Sequence, residues 1–274
     1  MDVDGAHVLL TGATGALGRP LALALARRGA RLTLVARGAE ALRALAREVG
    51  GAALPADLLR AEDREPLVAR AEQEHGPLDI LVNNAGVETA RHVAAETADS
   101  LAEAVTLNLL APMDLCRSAL TGMLERDRGT VVNVSSLSAV SAVPGMATYA
   151  ATKAGLSHFT SGLRADLRGT GVRTLLVELG PIGSPATDSP MMERARPHPA
   201  TDAAFARLLR TRLLSMTSAA EAGAAVVDAL ARDRRHLRLP RRAIPYALLT
   251  QAPRDLAALA LTGTPRGAPT GAHP

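Results

Sequence analysis

Aromatic residues are scarce in this chain: its 274 residues include two Tyr, two Phe and no Trp. A hydrophobic content of 47% with 21% charged residues is typical of a folded globular protein, so its core is expected to consist mainly of Ala, Leu and Val. Proteins that bind single-stranded nucleic acid stack bases on aromatic side chains, which are nearly absent here. The net charge of +4 is modest, and the Arg residues are mostly interleaved with acidic ones, so no nucleic-acid partner is expected.

Cysteine is almost absent as well. The single Cys116 excludes an intramolecular disulfide, is compatible with a reducing compartment and lies in an apolar helical pattern typical of a buried, inert thiol. The seven His residues are too scattered to predict a metal site. No apolar run reaches the ~18 residues of a membrane span, and residues 1–4 are acidic where a signal peptide would be basic. We therefore expect a cytoplasmic protein without a metal ion.

Short apolar runs alternate with helical patterns along most of the chain. The predicted strands are 7–10, 31–36, 52–57, 78–82, 130–134, 172–178 and 236–239, and the predicted helices include 39–49, 62–74, 97–124, 201–216 and 218–232. This alternation indicates an α/β fold, a single Rossmann-like doubly wound parallel sheet of about seven strands with helices on both faces. We assign residues 1–240 to this domain, which would bind the dinucleotide and carry the catalytic residues, and residues 241–274 to a C-terminal extension with an apolar helical segment and a disordered tail.

A glycine string, Thr11-Gly-Ala-Thr-Gly-Ala-Leu-Gly18, joins the first strand to the first helix. Such a turn lets the backbone approach a pyrophosphate and presents helix N–H groups to it, although a turn that serves packing alone is the alternative. The second strand ends in Ala36-Arg37, with no acid at either position. An Arg there can accept a 2′-phosphate, which favours NADP(H) and leaves NAD(H) possible. The alternative is that Arg37 is an ordinary solvated residue.

Lys153 is the only lysine among 31 basic residues, and it lies four residues after Tyr149. In a helix this spacing places both side chains on one face. A nearby ammonium stabilises a phenolate and lowers the pKa of the phenol towards neutrality, which predicts a proton-transferring pair. The alternative is an ordinary amphipathic helix with an exposed lysine.

Two further segments carry predictions. Pro112 cannot donate the helical hydrogen bond to Asn108, so a local kink is expected that frees backbone groups and an amide side chain for a water. Residues 183–216 begin with a Pro- and Met-rich stretch at the ligand edge, as in a lid or substrate loop. An Arg cluster between 232 and 242 precedes an apolar segment, 243–261; a solvated strip is the favoured interpretation, and an anionic substrate tail or a weak contact with a membrane surface is the alternative.

With these motifs in place, residues 5–240 resemble the short-chain dehydrogenase/reductase family. The resemblance rests on the glycine string, Asp57, the run Asn83-Asn84-Ala85-Gly86, Asn108, Ser136, Tyr149 with Lys153, and Gly180-Pro181-Ile182. It implies an NADP(H)-dependent oxidoreductase for a carbonyl or secondary alcohol, assembled as a homodimer or homotetramer.

The resemblance also implies a role for each matching residue. Tyr149 would be the general acid/base, Ser136 would polarise the substrate oxygen, Lys153 would bind the nicotinamide ribose and lower the pKa of Tyr149, and Asn108 would hold the water of a proton relay. The cofactor contacts would be Gly12, Thr14, Gly15, Leu17, Gly18, Arg37, Asp57, Leu58, Asn84, Ala85, Gly86, Tyr149, Lys153, Gly180 and Ile182.

Two departures from the family pattern bear on these expectations. Ala16 stands where the main branch has glycine, and the resulting spacing of Gly12, Gly15 and Gly18 is similar to that of sugar epimerases. Leu179 precedes Gly180 where the family usually has proline. A nucleotide-sugar epimerase or dehydratase and a non-catalytic, cofactor-binding regulatory protein are therefore kept as alternatives; the substrate is not predicted.

Overall fold

The computed structural model describes residues 2–141, 143–183, 201, 206–207, 209–210 and 215–245. Seven parallel strands form one sheet in the order β3-β2-β1-β4-β5-β6-β7. They are β1 (His7–Thr11), β2 (Arg31–Ala36), β3 (Ala52–Pro55), β4 (Ile80–Asn83), β5 (Gly129–Ser136), β6 (Val172–Leu179) and β7 (His236–Leu239). The order reverses between β1 and β4, and ligands bind at such a switch point, outside the carboxyl ends of the strands. The predicted Rossmann-like doubly wound sheet is confirmed.

Helices cover both faces of the sheet. One core cluster packs under α1 (Gly18–Ala26), α2 (Ala39–Val49) and α8 (Ala219–Ala231), and the other packs under α4 (Leu67–His75), α6 (Ala111–Glu125) and α7 (Ala147–Asp166). The strands β1 and β4 are buried along their whole length, which explains their continuous apolar sequences. The helix α8 begins with a capping box between Ser218 and Glu221.

Two predicted helices are each divided into two. The segment 62–74 consists of α3 (Ala61–Arg64) and α4, because Pro66 between them has no N–H to continue the first helix. The segment 97–124 consists of α5 (Ala98–Val105), a π-helical turn (Thr106–Leu110) and α6. The predicted irregularity at Asn108 and Pro112 is thus present as a π turn, a form that inserts one residue into the helical ladder.

Several predictions fall on residues that the structure does not describe. They concern most of the segment 183–216, the apolar segment 243–261 beyond residue 245, and the tail 262–274. Within the described ranges no helix combines the length and the apolar run needed to cross a membrane. Cys116 is buried on α6, where burial raises the pKa of its thiol to about 12, as the prediction of an inert thiol requires.

Candidate active site

A cavity of about 1080 Å³ opens at the carboxyl edge of the sheet, over the switch point between β1 and β4. It brings together residues that are distant in sequence but that follow neighbouring strands. Of the predicted site residues, those lining it are Gly12, Thr14, Gly15, Leu17, Gly18, Arg37, Asp57, Leu58, Asn84, Ala85, Gly86, Ser136, Tyr149, Lys153, Gly180 and Ile182. Asn108 lies behind the wall, fully buried.

The glycine turn is shaped for close backbone approach. Gly12 has φ +64°, and a Cβ there would lie 2.8 Å from the Ala85 Cα atom. A Cβ at Gly18 would overlap the Gly12 carbonyl oxygen. Ala16, the departure from the family spacing, is exposed and its side chain is accommodated. The turn thus leaves an open cradle at the start of α1, and this cradle fits the pyrophosphate of a dinucleotide.

Asn84 fixes this cradle from the next strand. Its side-chain Nδ2 donates to the carbonyl oxygens of Thr11 and Gly12 at 3.0 and 3.1 Å. The Thr11 hydroxyl donates to Val82 and accepts from the backbone N–H groups of Asn84 and Ala85. Asn84 therefore positions the glycine turn. Sequence reasoning placed Thr11 in the glycine string but gave it no role, because the contacts of its hydroxyl can be recognised only once β1 and β4 are known to be neighbours.

The far end of the cavity carries the predicted adenosine contacts. Arg37 is exposed at the end of β2 and has no acidic partner among the described residues. The Asp57 N–H donates to Asp63 Oδ2 at 2.7 Å, and Asp57 Oδ1 accepts from the Leu59 N–H at 3.2 Å. These bonds hold Asp57 in a fixed turn beside the buried Leu58. The Arg37 guanidinium, which has no acidic partner among the described residues, could bind a phosphate at this end of the cavity.

Tyr149 is buried on α7 and faces the cavity. Burial raises the pKa of its phenol, and the Glu88 carboxylate raises it further, whereas a hydrogen bond with Ser136 lowers it. The net result is a raised pKa, so the phenol is protonated at neutral pH. This differs from the sequence-based prediction that Lys153 lowers the pKa of Tyr149. The reason is geometric: Lys153 Nζ lies 5.8 Å from the ring centroid, while burial acts on the phenol directly.

Ser136 ends β5 and holds its hydroxyl beside the phenol. Its Oγ donates to the Leu179 carbonyl oxygen at 3.3 Å and accepts from the Ser138 N–H at 3.1 Å. The same hydroxyl forms the hydrogen bond that lowers the pKa of Tyr149. The Ser136 hydroxyl at the end of β5 and the Tyr149 phenol on α7 are thus adjacent.

Lys153 lies one turn after Tyr149 on α7, on the same face, as its spacing predicts. Its side chain is 5% exposed, and Nζ donates to the Val134 carbonyl oxygen at 3.0 Å. Burial lowers the pKa of this ammonium to about 8, and the Glu88 carboxylate opposes that shift. Two of its three protons stay available to a ligand in the cavity.

The Asn108 side chain makes three hydrogen bonds to protein groups. Its Oδ1 accepts from the Val87 N–H and its Nδ2 donates to the Val87 carbonyl oxygen, both at 2.8 Å. Nδ2 also donates to the Thr152 hydroxyl at 3.1 Å. Both Nδ2 protons are therefore engaged by protein groups, and Oδ1 already accepts one hydrogen bond. The backbone of the π turn is the other part of the expected water site, and the role of Asn108 in a proton relay stays a prediction.

The loop after β6 presents its backbone to the cavity. The Thr217 N–H donates to the Pro181 carbonyl oxygen, and the Gly183 N–H donates to the Thr217 carbonyl oxygen, each at 3.1 Å. This isolated bridge leaves the N–H and carbonyl of Ile182 itself outside its hydrogen bonds. Such groups fit a planar carboxamide. The Gly180 N–H instead donates to Leu239 at 2.7 Å, which anchors the loop to β7.

Glu88 is a further charged residue at this end of the cavity that sequence reasoning missed. One residue, Val87, separates it from the Asn-Asn-Ala-Gly run, and it lines the cavity near Tyr149 and Lys153. Burial raises the pKa of its carboxyl to about 7, and Lys153 opposes that shift. Its position two residues after Gly86 was the signal available in the sequence, but its orientation depends on the contact between Asn108 and Val87.

Comparisons with known proteins agree with this site. A family model described as short chain dehydrogenase matches residues 6–195. Ketoacyl reductase HetN of Nostoc sp. is 37% identical over 180 residues, which are 64% of this chain and 63% of that protein, so the chain spans less than two thirds of this relative.

Solved structures agree along nearly the whole chain. A short-chain dehydrogenase from Sphingobium yanoikuyae in complex with NADPH is 26% identical, with a TM-score of 0.78 over 97% of this chain and 98% of that one. A short chain dehydrogenase/reductase from Burkholderia phymatum in complex with NAD shares the fold, with 21% identity and a TM-score of 0.77 over 99% and 100% of the two chains.

The matched family model covers the glycine turn, Asn84, Ser136, Tyr149 and Lys153, all of which the fold brings to one cavity. The residues present fit a nicotinamide dinucleotide, and the resemblance inferred from the sequence is confirmed. The chain belongs to the short-chain dehydrogenase family of oxidoreductases.

Proposed function

We propose that this protein is an NADP(H)-dependent oxidoreductase that interconverts a carbonyl compound and a secondary alcohol. The observation that carries the proposal is the grouping of the Tyr149 phenol, the Ser136 hydroxyl and the Lys153 ammonium at one end of the dinucleotide-shaped cavity. A bound nicotinamide cofactor would supply or accept the hydride.

Tyr149 and Ser136 would act on the substrate oxygen. In the reducing direction the protonated phenol donates a proton to the oxygen as negative charge develops on it. The Ser136 hydroxyl donates a second hydrogen bond by turning its proton from the Leu179 carbonyl oxygen to the substrate. The raised pKa of Tyr149 suits the role of acid. In the oxidising direction the same phenol must first lose its proton, so that direction would be favoured by alkaline pH.

Lys153 and the π turn would support this chemistry. The ammonium has protons left for a ribose hydroxyl, which would fix the nicotinamide end of the cofactor. Because the Asn108 side chain is engaged with Val87 and Thr152, a relay water would be held by the backbone of the π turn that carries Asn108. Pyrophosphate binding by Gly12, Gly15 and Gly18, adenine contacts by Asp57 and Leu58, and carboxamide binding by Ile182 complete the proposal.

The preference for NADP(H) rests on Arg37. It is exposed on the cavity wall, has no acidic partner in the described part of the chain, and no carboxylate stands at position 36 or 37 to bind a 2′-hydroxyl. A 2′-phosphate would provide the missing partner.

An assembly of two or four copies is proposed as well. Large apolar side chains are exposed on three successive elements, α5, the π turn and α6: Val105, Leu110, Met113 and Leu124. Exposed apolar surface of this kind commonly marks a protein interface. Light scattering after size-exclusion chromatography measures the mass directly, and a monomer at micromolar concentration would contradict this assignment. A cytoplasmic location stays a prediction.

The deciding test of the catalytic proposal is Tyr149→Phe. This change removes the proton donor and keeps the ring, so turnover of NADPH with a ketone should fall by at least about 100-fold while NADPH affinity changes little. NADPH fluorescence measures binding, and absorbance measures its oxidation. The carbonyl panel should include 3-oxoacyl thioesters, because the Nostoc relative is named a ketoacyl reductase. Full activity of the variant would refute the mechanism.

A further inference from the structure

Glu88 is placed at the reacting end of the cavity. It lines the same cavity as Tyr149, Ser136 and Lys153, and its charge acts on both Tyr149 and Lys153. The preceding residue, Val87, is held by Asn108 through both its N–H and its carbonyl. The backbone that carries Glu88 is therefore fixed by contact with the π turn and, through Thr152, with the catalytic helix.

The Glu88 carboxylate has no hydrogen bond and no ion pair with any residue that the structure describes. Lys153 attracts it, but that ammonium donates instead to the Val134 carbonyl oxygen and forms no ion pair with Glu88. Burial raises the pKa of the Glu88 carboxyl to about 7. A partly buried acceptor without a donor is unfavourable, and a ligand that supplies the donor offsets this cost.

A second polar group at this end is also without a partner. Ser138 is 8% exposed and lines the cavity, and its Oγ has no hydrogen bond among the described residues. Its backbone N–H donates to Ser136 Oγ, which places Ser138 next to the substrate-polarising hydroxyl. The cavity is also lined by the apolar Leu137, Val143 and Met146 and by the polar Ser141 and Arg207.

We propose that Glu88 is a specificity-determining residue that accepts a hydrogen bond from a hydroxyl or protonated amino group next to the reacting carbon of the substrate. This inference rests on the proposed function, because it assumes that Tyr149 acts on the neighbouring oxygen. A carboxylate acceptor binds a cationic donor most strongly and a hydroxyl less strongly. It gives no hydrogen bond to a hydrocarbon group, and it repels a carboxylate. The apolar wall would take an aryl or alkyl group on the other side of that carbon.

The probe is a matched series of aryl alcohols, C₆H₅–CH(OH)–CH₂–X, in which X is methyl, hydroxyl, ammonium or carboxylate. Each is oxidised with NADP⁺ at one pH that lies above the pKa of about 7 of the Glu88 carboxyl and at which the amine is still protonated. NADPH formation is followed by absorbance. The wild type should prefer the ammonium over the methyl compound by at least about tenfold in kcat/KM, because hydrogen bonds to charged groups are the stronger ones. The hydroxyl compound should lie between them and the carboxylate last.

The variants Glu88→Gln and Glu88→Ala should erase the preference for the ammonium over the methyl compound and raise kcat/KM for the carboxylate compound relative to the methyl compound. Ratios of kcat/KM are compared because loss of the Glu88 charge also lowers the pKa of Tyr149, which acts on the oxidation of all four compounds alike. Glu103→Gln is the matched control, because it removes a carboxylate from the same cavity and should retain the preference. Equal kcat/KM for the ammonium and methyl compounds in the wild type would overturn the inference. A preference that survives in Glu88→Ala would overturn it as well.

Binding separates this inference from the proposed function. Affinity of each alcohol for the NADP⁺ complex is measured by calorimetry, and affinity for NADP⁺ alone is measured in each variant. If no alcohol is oxidised, the proposed function fails; selective binding of the ammonium compound that is lost in Glu88→Gln would still support recognition by Glu88. Equal binding of all four compounds would refute it. A loss of NADP⁺ affinity in Glu88→Gln would show that the cofactor, and not the substrate, supplies the donor, and would also refute it.

Discussion

The Asn108 side chain makes two hydrogen bonds to the backbone of Val87. Its Oδ1 accepts from the Val87 N–H and its Nδ2 donates to the Val87 carbonyl oxygen, both at 2.8 Å. Nδ2 also reaches Thr152 on α7. One amide in a π turn thus joins the loop after β4 to the helix that carries Tyr149 and Lys153. Because this loop also carries Glu88, the geometry of the reacting end depends on Asn108 even if the side chain touches no substrate.

Asn108→Asp tests this connection. A carboxylate cannot donate to the Val87 carbonyl or to Thr152, so two hydrogen bonds are lost in a fully buried place. We expect the free energy of unfolding to fall by about 1–3 kcal/mol, measured by urea denaturation, and kcat to fall with it. Asn108→Ala should lower both as well. A variant that kept the stability and activity of the wild type would show that the contact is dispensable.

Lys153→Arg and Lys153→Met separate the charge of this residue from its shape. The ammonium fits between the Val134 carbonyl and Gly86, where a Cβ would be only 3.3 Å from Nζ. A wider guanidinium does not fit there, so we expect Lys153→Arg to lose turnover by about 100-fold or more despite its retained charge. Equal activity of Lys153→Arg and the wild type would contradict this.

The variant Lys153→Met should keep or gain stability, although it removes a residue of the candidate active site. Burial lowers the pKa of Lys153 to about 8, so below that pH the folded protein bears the full cost of a buried cation, and this cost disappears as pH rises towards the unfolded value. Lys153→Met should therefore be at least as stable as the wild type at pH 7, with an advantage that shrinks above pH 8. Thermal unfolding at several pH values measures it.

The sequence predicted the parts of the site that depend on local spacing. Tyr149 and Lys153 share a helix face, and Ser136 ends a strand, so their positions follow from the periods of regular structure. The use of Asn108 could not be predicted in this way. Its partner Val87 is 21 residues away, and the contact depends on a π turn that shifts the helical register. The orientation of Glu88 depends on the same contact and was missed for the same reason.

The pKa of Tyr149 illustrates a second limit. The spacing from Lys153 predicts a nearby cation, and the cation is present, but the degree of burial is a property of the packed structure. Burial and Glu88 together outweigh the hydrogen bond from Ser136, so the pKa rises. A local pattern therefore identified the groups, while the balance of their effects required the fold.

Arg37→Asp tests the cofactor preference. The change removes a cation that can bind a 2′-phosphate and supplies a carboxylate that can accept from a 2′-hydroxyl. We expect the ratio of kcat/KM for NADPH over NADH to fall by about tenfold or more. Arg43→Asp is the control, because Arg43 is exposed on α2 and carries the same charge change away from the cavity. An equal effect of both variants would assign the change to overall charge, and Arg37 would then be a surface residue.

Glu88→Gln should change how stability depends on pH. The folded protein raises the pKa of this carboxyl from 4.5 to about 7, so it binds the proton more tightly than the unfolded chain does. The contribution of this carboxyl to the free energy of unfolding is fully present below pH 4.5 and is lost as the pH rises through 7. The variant should therefore gain stability relative to the wild type as pH rises from 4.5 to 7, measured by urea unfolding. A difference that does not vary with pH would show that Glu88 keeps its ordinary pKa.

Glu178 is a fully buried carboxylate next to the site, and its partners can be tested by mutation. It accepts from Arg238 Nε at 2.6 Å, His236 Nε2 at 2.8 Å and Ser157 Oγ at 3.2 Å. Ser135 contacts both Ser157 and the Lys153 carbonyl oxygen, so the cluster reaches the catalytic helix. Burial raises the pKa of Glu178, but the hydrogen bonds from His236 and Arg238 outweigh it and the pKa is lowered.

Arg238→Met removes the buried cation and leaves the carboxylate behind, so the free energy of unfolding should fall by about 3–5 kcal/mol. The double variant with Glu178→Gln should recover part of that loss, because no charge is then left without its partner. The control is Arg173→Met, which breaks an ion pair with Asp233 whose side chains are 50% and 49% exposed and should cost about 1 kcal/mol or less. Equal losses for the two single variants would mean that burial adds nothing to the Glu178 pair. No recovery in the double variant would mean that Arg238 stabilises the fold through packing and not through the carboxylate.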